Sequence, residues 1–236
     1  MTFSLIGRCA RTGQFGAVIS TSATAVGSRC VYLKSGKGGF LTQHRTDPRL
    51  GPRGVRLLEE GLSARDAMAA VVASTPDIGW RQLACIDDDG GTAFHHGDKI
   101  YSIHAESQAR DCVAIGNIID NPDVPKAMTA AFTADPSLDI AERLLRAIEA
   151  GEAAGGETGT VHSAQLVAVG ENDFVMYDLR IDWSETPIPD LRLLWERYKP
   201  EVADFAVRVL EPDAAPMMQM LFDEAKRRMK ELGLEH

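Results

Sequence analysis

The sequence predicts an α+β fold in which two antiparallel β-sheets stack face to face and helices cover both outer faces, giving a four-layer α-β-β-α sandwich. Three observations predict this fold. Strand patterns occur in blocks instead of alternating singly with helices, a pair of helical patterns follows each of the first two blocks, and a hairpin pattern comes after the second pair. Such blocks favour antiparallel sheets with helices packed outside them.

The first block opens at the N-terminus. Residues 2–8 and 15–21 have strand composition, and the turn residues at 10–13 predict that the two segments form a hairpin. Two shorter strands are predicted at residues 30–33 and 39–42. The hairpin brings the end of its second strand back alongside residue 2.

Helical and strand signals alternate by block along the rest of the body. A short helix leads from residue 51 to Gly61, and Ser63, with Asp66 three residues later, is placed to cap the next helix. The later predicted elements are strands at 82–87, 92–94, 99–103 and 111–115, helices at 124–134 and 139–149, and strands at 163–169 and 173–181.

The last part of the chain has a different pattern, which divides the protein into a body at residues 1–186 and a helical extension at 187–236. An apolar stripe runs along the extension, with a break at Pro200. The stripe comprises Leu191, Leu194, Trp195, Tyr198, Val202, Phe205 and Val209, and further apolar surface comes from Met217, Met218, Met220 and Leu221. We expect the extension to pack on the body or at a subunit interface, most simply in a homodimer with two-fold symmetry.

Composition narrows the classes of partner. Of the 236 residues, 44% are hydrophobic and 25% charged, as in ordinary globular proteins, and the net charge is −9. This acidity disfavours binding to nucleic acid or to anionic membrane surfaces. No apolar run approaches the ~20 residues that cross a bilayer, and no signal peptide is recognised, so the expected location is the cytoplasm. The four scattered cysteines are predicted to be reduced core residues.

Familiar catalytic and metal-binding motifs are absent from the sequence, including the nucleophile elbow, the Walker loop and the dinucleotide fingerprint. The best metal candidates are His95 and His96, with Asp98 and His104 nearby. Adjacent residues on a strand point to opposite faces, so the two neighbouring histidines are poorly placed to share an ion. We therefore expect neither a metal nor a cofactor.

The best candidate for chemistry is the second residue. Thr2 becomes the first residue if the initiator Met1 is removed, and its hydroxyl and α-amine then form a nucleophile and a base within one residue. An α-amine with a pKa near ~7.7–8.0 suits proton transfer at neutral pH. Many proteins begin with Met-Thr without using the threonine, so this position needs support from its surroundings.

The opening hairpin resembles that of the N-terminal-nucleophile hydrolases, which include proteasome β subunits and glycosylasparaginase. A closer resemblance, reaching to about Asp182, is to the bacterial family known as domain of unknown function 1028. The motifs that carry it are Thr42-Gln43, Gly51-Pro52-Arg53-Gly54, Gly61-Leu62-Ser63-Ala64, Gly116-Asn117 and Asp178-Leu179-Arg180-Ile181-Asp182. The resemblance implies an N-terminal-nucleophile fold for the body.

The resemblance also implies roles for particular residues. Thr2 corresponds to the nucleophile, and Thr42 and Gln43 occupy the place of the Thr-Gly pair that forms the oxyanion hole in glycosylasparaginase-like enzymes. Because Gln43 replaces a glycine, the pocket should be narrower here. We expect Thr2 at the mouth of a cleft between the sheets, with Thr42 about one amide group away and His44 or Arg45 at the rim.

Six residues are candidates for binding a small-molecule amide substrate: Ser20, Thr21, Ser22, His44, Arg45 and Asn117. The first three end the strand that lies beside Thr2, but they are also ordinary strand residues. An arginine in the pocket would bind a carboxylate through paired hydrogen bonds, although an exposed loop cation is an equal alternative.

Two functions remain open from the sequence. The first is an amidohydrolase that cleaves a small amide, or a γ-glutamyl- or asparaginyl-like bond, with Thr2 as the nucleophile. The alternative is a catalytically inactive protein that keeps the fold and binds a small ligand or acts as a scaffold. A retained Met1 would favour the alternative, since it leaves Thr2 without a free amine.

Overall fold

The computed structural model describes residues 1–233, with the backbone alone at 216–221. The strands are β1 (Thr2–Arg8), β2 (Phe15–Thr21), β3 (Val31–Lys34), β4 (Gly38–Gln43), β5 (Gln82–Asp87), β6 (Thr92–His96), β7 (His104–Ala109), β8 (Cys112–Asn117), β9 (Ser163–Val169) and β10 (Val175–Ile181). The helices are α1 (Leu50–Glu59), α2 (Ala64–Ala73), α3 (Val124–Thr133), α4 (Ile140–Ala153), α5 (Pro187–Tyr198), α6 (Val202–Leu210) and α7 (Pro216–Glu231).

The strands form two antiparallel sheets, which confirms the predicted α+β class with antiparallel pairing. The larger sheet has six strands in the order β10-β9-β2-β1-β8-β7, and the smaller has four in the order β3-β4-β5-β6. Strand β1 lies in the middle of the larger sheet, so that Thr2 pairs with Asn117 of β8 and Phe3 pairs with Ser20 of β2. The start of the chain is thus held on both sides.

Buried apolar side chains connect the sheets and the helices. One cluster combines Ile6 and Val113 of the larger sheet with Leu41 and Ile86 of the smaller sheet. A second cluster joins the other face of the smaller sheet, including Phe40, to α1 and α2. The adjacent residues Phe40 and Leu41 of β4 therefore belong to different clusters, because successive side chains of a strand point to opposite faces.

Helices α3 and α4 pack against the larger sheet at two glycines. Gly7 of β1 lies under the ring of Phe132, and Gly16 of β2 lies under Leu144. A Cβ atom at Gly7 would lie 2.4 Å from the Phe132 ring, so only glycine lets the helix approach this closely. The glycines in these strands are there for packing.

Most predicted elements are present with end shifts of a few residues, but the strand predicted at 99–103 was wrong. That segment is irregular, with Tyr101 80% and Ile103 51% exposed, and the edge strand lies instead at β7. The isoleucines and the tyrosine at 99–103 have the composition of a strand, whereas β7 forms because its backbone pairs with β8. Pairing with a neighbour thus outweighs local β-propensity.

Several local predictions are confirmed. The Ser63 hydroxyl accepts a hydrogen bond from the backbone N–H of Asp66 at 3.2 Å, as a helix cap should. A short 3₁₀ turn that contains Pro200 separates α5 from α6. The four cysteines are buried free thiols.

The chain divides into two compact units, Met1–Leu194 and a second unit that begins at Trp195 within α5. In the second unit the rings of Tyr198 and Phe205 stack with their centres 5.4 Å apart. The side chains of Met217, Met218, Met220 and Leu221 lie outside the described residues, and the dimer and the packing of the extension stay predictions. None of the described helices is long and apolar enough to cross a membrane.

The close packing of α1 on β4 gives a test of the fold. Gly54 of α1 lies against Phe40, and a Cβ atom there would be 2.5 Å from the ring. We expect Gly54→Ala to lower the free energy of unfolding by about 1–3 kcal/mol through overpacking, although alanine favours helix. Urea unfolding would measure this, with the exposed Arg56→Ala in the same helix as control. A Gly54→Ala protein at least as stable as the wild type would contradict the described packing.

Candidate active site

Thr2 lies at the first position of β1, where the polar ends of several strands meet. Its side chain is 7% exposed, and its hydroxyl lies 3.2 Å from the hydroxyl of Thr21 on β2. Both hydroxyls donate to the carbonyl oxygen of Met1. Thr2 and Met1 line an open cleft of about 520 Å³, so the predicted position of Thr2 beside β2, at a cleft, agrees with the structure.

Beneath Thr2, one buried amide joins the two sheets. Gln82 of β5 accepts through Oε1 from Asn117 Nδ2 at 2.8 Å and from Gln43 Nε2 at 2.6 Å. Its own Nε2 donates to the carbonyl oxygen of Gly116 at 2.8 Å and lies 3.1 Å from His96 Nδ1. Gln82, Gln43 and Asn117 are fully buried, so we name these three side chains the amide cluster.

Gln43 extends the amide cluster to β1. Its Oε1 accepts from the Ser4 hydroxyl at 2.8 Å, and its Nε2 lies 3.4 Å from the carbonyl oxygen of Thr2. The amide therefore contacts the main chain of the candidate nucleophile on one side and Gln82 on the other. Sequence reasoning selected Gln43 and Asn117, and the structure brings both to Thr2, but it missed Gln82.

Thr42 is oriented differently from its neighbour. Its hydroxyl donates to the carbonyl oxygen of Asp47 at 3.3 Å, and its backbone N–H donates to the carbonyl oxygen of Cys30 at 2.9 Å. Successive side chains of a strand alternate, and Gln43 takes the face toward Thr2. Both donors of Thr42 are thus engaged away from the Thr2 hydroxyl, and the structure does not bring Thr42 to the predicted oxyanion position.

The three candidate residues Ser20, Thr21 and Ser22 also differ in where their polar groups bond. Thr21 is the member that contacts Thr2, whereas the Ser20 hydroxyl donates to the carbonyl oxygen of Ser163 at 3.1 Å. Ser22 uses its backbone N–H, which lies 3.2 Å from each carboxylate oxygen of Glu157. Of the three, Thr21 is the one whose side chain contacts Thr2.

Glu157 is a site residue that sequence reasoning missed. Burial raises its pKa to about 7, while the nearby chain terminus and the hydrogen bond from Ser22 oppose this shift. Burial also lowers the pKa of the Met1 α-amino group, and the Glu157 carboxylate acts in the opposite direction. The one signal in the sequence was an acidic residue directly after two glycines, Gly155 and Gly156, in a segment between predicted elements.

His44 and Arg45 form the loop after β4 and line the cleft. Both have positive φ angles, 54° and 39°, which are uncommon for residues with side chains. His44 Nδ1 lies 2.8 Å from the carbonyl oxygen of Trp80, and the Arg45 guanidinium lies 3.9 Å from the centre of the Trp80 ring. Trp80 thus holds both side chains at the rim, where they were predicted.

The histidine candidates do not assemble a metal site. His96 contacts the amide cluster through Nδ1, and its Nε2 lies 3.2 Å from Glu106. Burial lowers the pKa of His96 to about 4, with a smaller contribution from the neighbouring His104. Within residues 1–233, no group of three His, Cys, Asp or Glu side chains could hold an ion.

Comparison with known proteins identifies the family. A model described as a family of unknown function, DUF1028, matches residues 2–191. The chain belongs to the DUF1028 family. This result confirms the closer of the two resemblances in the sequence, and the matched range contains the amide cluster, Thr2 and Glu157.

Two solved structures are similar to this DUF1028 protein. The crystal structure of protein SPO2555 from Silicibacter pomeroyi, also described as DUF1028, is 28% identical with a TM-score of 0.80, and the match covers 87% of this chain and 89% of that one. Anbu (ancestral beta-subunit) from Yersinia bercovieri is 10% identical with a TM-score of 0.41, over 86% and 96% of the chains. No curated protein matches.

The amide cluster predicts a large effect on stability. Gln82→Leu leaves buried groups on Gln43, Asn117 and Gly116 without their partner, and each unpaired group costs about 1–3 kcal/mol. We expect the free energy of unfolding to fall by roughly 2–4 kcal/mol in urea titrations. The control Gln108→Leu alters an exposed glutamine and should change it by less than about 0.5 kcal/mol. Equal effects of the two substitutions would contradict the role of the cluster.

Glu157 predicts a pH dependence of stability. Because its pKa rises from the ordinary 4.5 to about 7 on folding, the folded chain binds more protons between these values and loses stability as pH increases. Glu157→Gln should remove this loss, so that urea unfolding at pH 5 and pH 8 differs less in the variant. The exposed Glu171→Gln serves as control. The same pH dependence in wild type and Glu157→Gln would be the contrary result.

Proposed function

We propose that this DUF1028 protein is an amidohydrolase whose nucleophile is Thr2 after removal of Met1. The observation that carries the proposal is the convergence of Thr21 and Gln43 on Thr2, the first position of a central strand, with Glu157 bound to the next residue of the Thr21 strand end, Ser22. A hydroxyl at that position would be rigidly held and would still border a cleft. Enzymes gain much of their rate from such fixed placement.

We further propose that the body is a four-layer α-β-β-α sandwich of the N-terminal-nucleophile type. The cluster that contains Ile6 and Leu41 supports the contact between the sheets, and the contacts of Phe40 and Phe132 support the two helical layers. The nucleophile would then lie at an end of the space between the sheets. This arrangement gives one side of Thr2 to packing and the other to substrate.

The proposed reaction proceeds through an ester. The free α-amine of Thr2 accepts the proton of its own hydroxyl, and Oγ1 attacks the carbonyl carbon of the substrate amide. The C–N bond breaks as the ammonium returns the proton to the leaving nitrogen, which departs as an amine. Water then attacks the ester, giving the carboxylic acid and restoring the Thr2 hydroxyl.

The residues around the amine would hold it for this task. The Thr21 hydroxyl now bonds to the Met1 carbonyl, and after removal of Met1 it would lie beside the new amine. Glu157, bound to the Ser22 backbone, would supply a carboxyl group on the same side. Gln43 would fix the main chain through the Thr2 carbonyl oxygen. Thr21, Gln43 and Glu157 are thus positioning residues.

The alternative is a non-catalytic protein that binds a small ligand in the same cleft. One specific observation favours it: the donors of Thr42, in the place of the oxyanion hole, bond instead to the carbonyl oxygens of Asp47 and Cys30. A hydrolase would need other donors for the developing negative charge. Binding without turnover needs none.

Covalent trapping separates the two functions. Protein treated with methionine aminopeptidase should form a one-to-one ester at Thr2 with a β-lactone or an activated acyl ester, read by intact mass and peptide mapping. Labelling should be at least ~10²-fold slower for Thr2→Val and for protein that keeps Met1, since these lack the hydroxyl or the base. Thr2→Ser should retain labelling.

Exposed Thr12→Val is the matched control and should label like the wild type. Equal labelling of the processed wild type and Thr2→Val, or none in either, would refute the nucleophile and favour the ligand-binding function.

A further inference from the structure

The cleft at Thr2 has an unusual charge for this protein. Its lining residues are Met1, Thr2, Ala23, Arg29, His44, Arg45, Thr46 and Arg81. Three of these are arginines and none is a carboxylate, although the whole chain has a net charge of −9. A local excess of positive charge beside the candidate nucleophile requires an explanation of its own.

Arg45 is held in place by its backbone conformation and by the Trp80 ring. The backbone enters the left-handed region at both His44 and Arg45, which costs free energy that the surrounding contacts must offset. The guanidinium stacks on the Trp80 ring at 3.9 Å, which fixes its plane. In a stacked guanidinium the N–H donors point outward in the plane, as paired binding of a planar anion requires.

Arg81 has a buried donor with no partner. Its Nη1 donates to the carbonyl oxygen of Arg45, which ties the two arginines together. Its Nε is buried and has no hydrogen-bond partner among the described residues. Buried polar atoms are nearly always bonded, so this donor would gain a hydrogen bond if the Arg81 side chain turned to present it to an acceptor in the cleft.

The carboxylates near the cleft are already committed. Asp47 is bound by Arg49 through two hydrogen bonds, at 2.9 Å from Nε and 2.7 Å from Nη2. Glu157 is bound by the Ser22 backbone. Neither carboxylate is among the residues that line the cleft. The charge of Arg81 helps to lower the pKa of Asp47, but no hydrogen bond or ion pair among the described residues joins Arg45 or Arg81 to a carboxylate.

We infer that the cleft selects substrates that carry a carboxylate, which Arg81 and Arg45 bind while the neighbouring amide is presented to Thr2. The inference rests on the proposed function for the amide part and on the arginines alone for the carboxylate part. Arg29 adds a third positive charge to the cleft lining. Its Nη1 donates to the carbonyl oxygens of Thr24 and Ala25, which holds the side chain in place. Carboxylates and phosphates both accept paired hydrogen bonds from a guanidinium, so phosphate is the competitor that tests the choice of anion.

Binding can be tested without turnover. The probe is glutaramate, which has one carboxylate and one amide, and its uncharged counterpart is glutaramide. Calorimetry on Thr2→Val protein that has been freed of Met1 should show glutaramate binding at least ~10-fold more tightly than glutaramide. Inorganic phosphate at equal concentration should not displace glutaramate.

Variants of the arginines should act on the charged probe only. We expect Arg45→Gln and Arg81→Gln each to weaken glutaramate binding at least ~10-fold while leaving glutaramide unchanged. Arg45→Lys keeps the charge and should give an intermediate loss, because it lacks paired donors. Arg65→Gln, at an exposed arginine of α2, is the control and should have no effect. Urea unfolding of each variant checks that it is folded.

Several results would overturn the inference: equal binding of the two probes, no binding of glutaramate up to about 10 mM, displacement by phosphate, or no effect of the arginine variants. The proposed function fails separately, through the labelling of Thr2. Labelling without selective binding of glutaramate would leave a hydrolase with another substrate class, and selective binding without labelling would identify a carboxylate-binding protein.

Discussion

The amide of Gln82 is the interaction on which the candidate site depends. It is fully buried, and it bonds to Asn117 and the Gly116 carbonyl of one sheet and to Gln43 of the other. Apolar side chains could pack the sheets together without fixing their register. A buried amide with defined donors and acceptors accepts only the arrangement that satisfies all of them. Through Gln43, that arrangement sets where β1 begins and therefore where Thr2 lies.

The site combines an interior of hydroxyls, amides and one acid with a positively charged rim. Around Thr2 the contacts come from hydroxyls and amides, and the one acid, Glu157, has its pKa raised to about 7 by burial. The permanent charges lie at the rim on Arg45 and Arg81. The Glu157 carboxylate raises the pKa of the neighbouring Met1 α-amino group against the effect of burial, whereas the arginines at the rim can attract an anionic substrate.

The sequence predicted well what depends on local pattern. The bounds of β5 and β9 follow from short apolar runs, and the Ser63 cap follows from hydrogen bonding within a few residues. Gln82 could not be selected, because it opens an ordinary apolar strand and its importance arises only from the partner sheet. Glu157 was missed for a similar reason: its burial comes from the chain folding back onto the N-terminus. The assignment of Thr42 overlooked alternation, which puts only one of two adjacent residues at the cleft.

Gln43 stands where the resemblance implies a glycine, and this difference bears on the choice between catalysis and binding. In the glycine arrangement that the resemblance implies, the backbone leaves room for a substrate oxygen. Here the Gln43 side chain bonds to Gln82 and to the Thr2 carbonyl oxygen. The same residue thus holds the main chain of Thr2, the candidate nucleophile, while the donors of the adjacent Thr42 bond to other carbonyl oxygens. A hydrolase built this way must stabilise the negative charge from the open side, where the arginine rim lies, so catalysis and carboxylate recognition would depend on the same wall of the cleft.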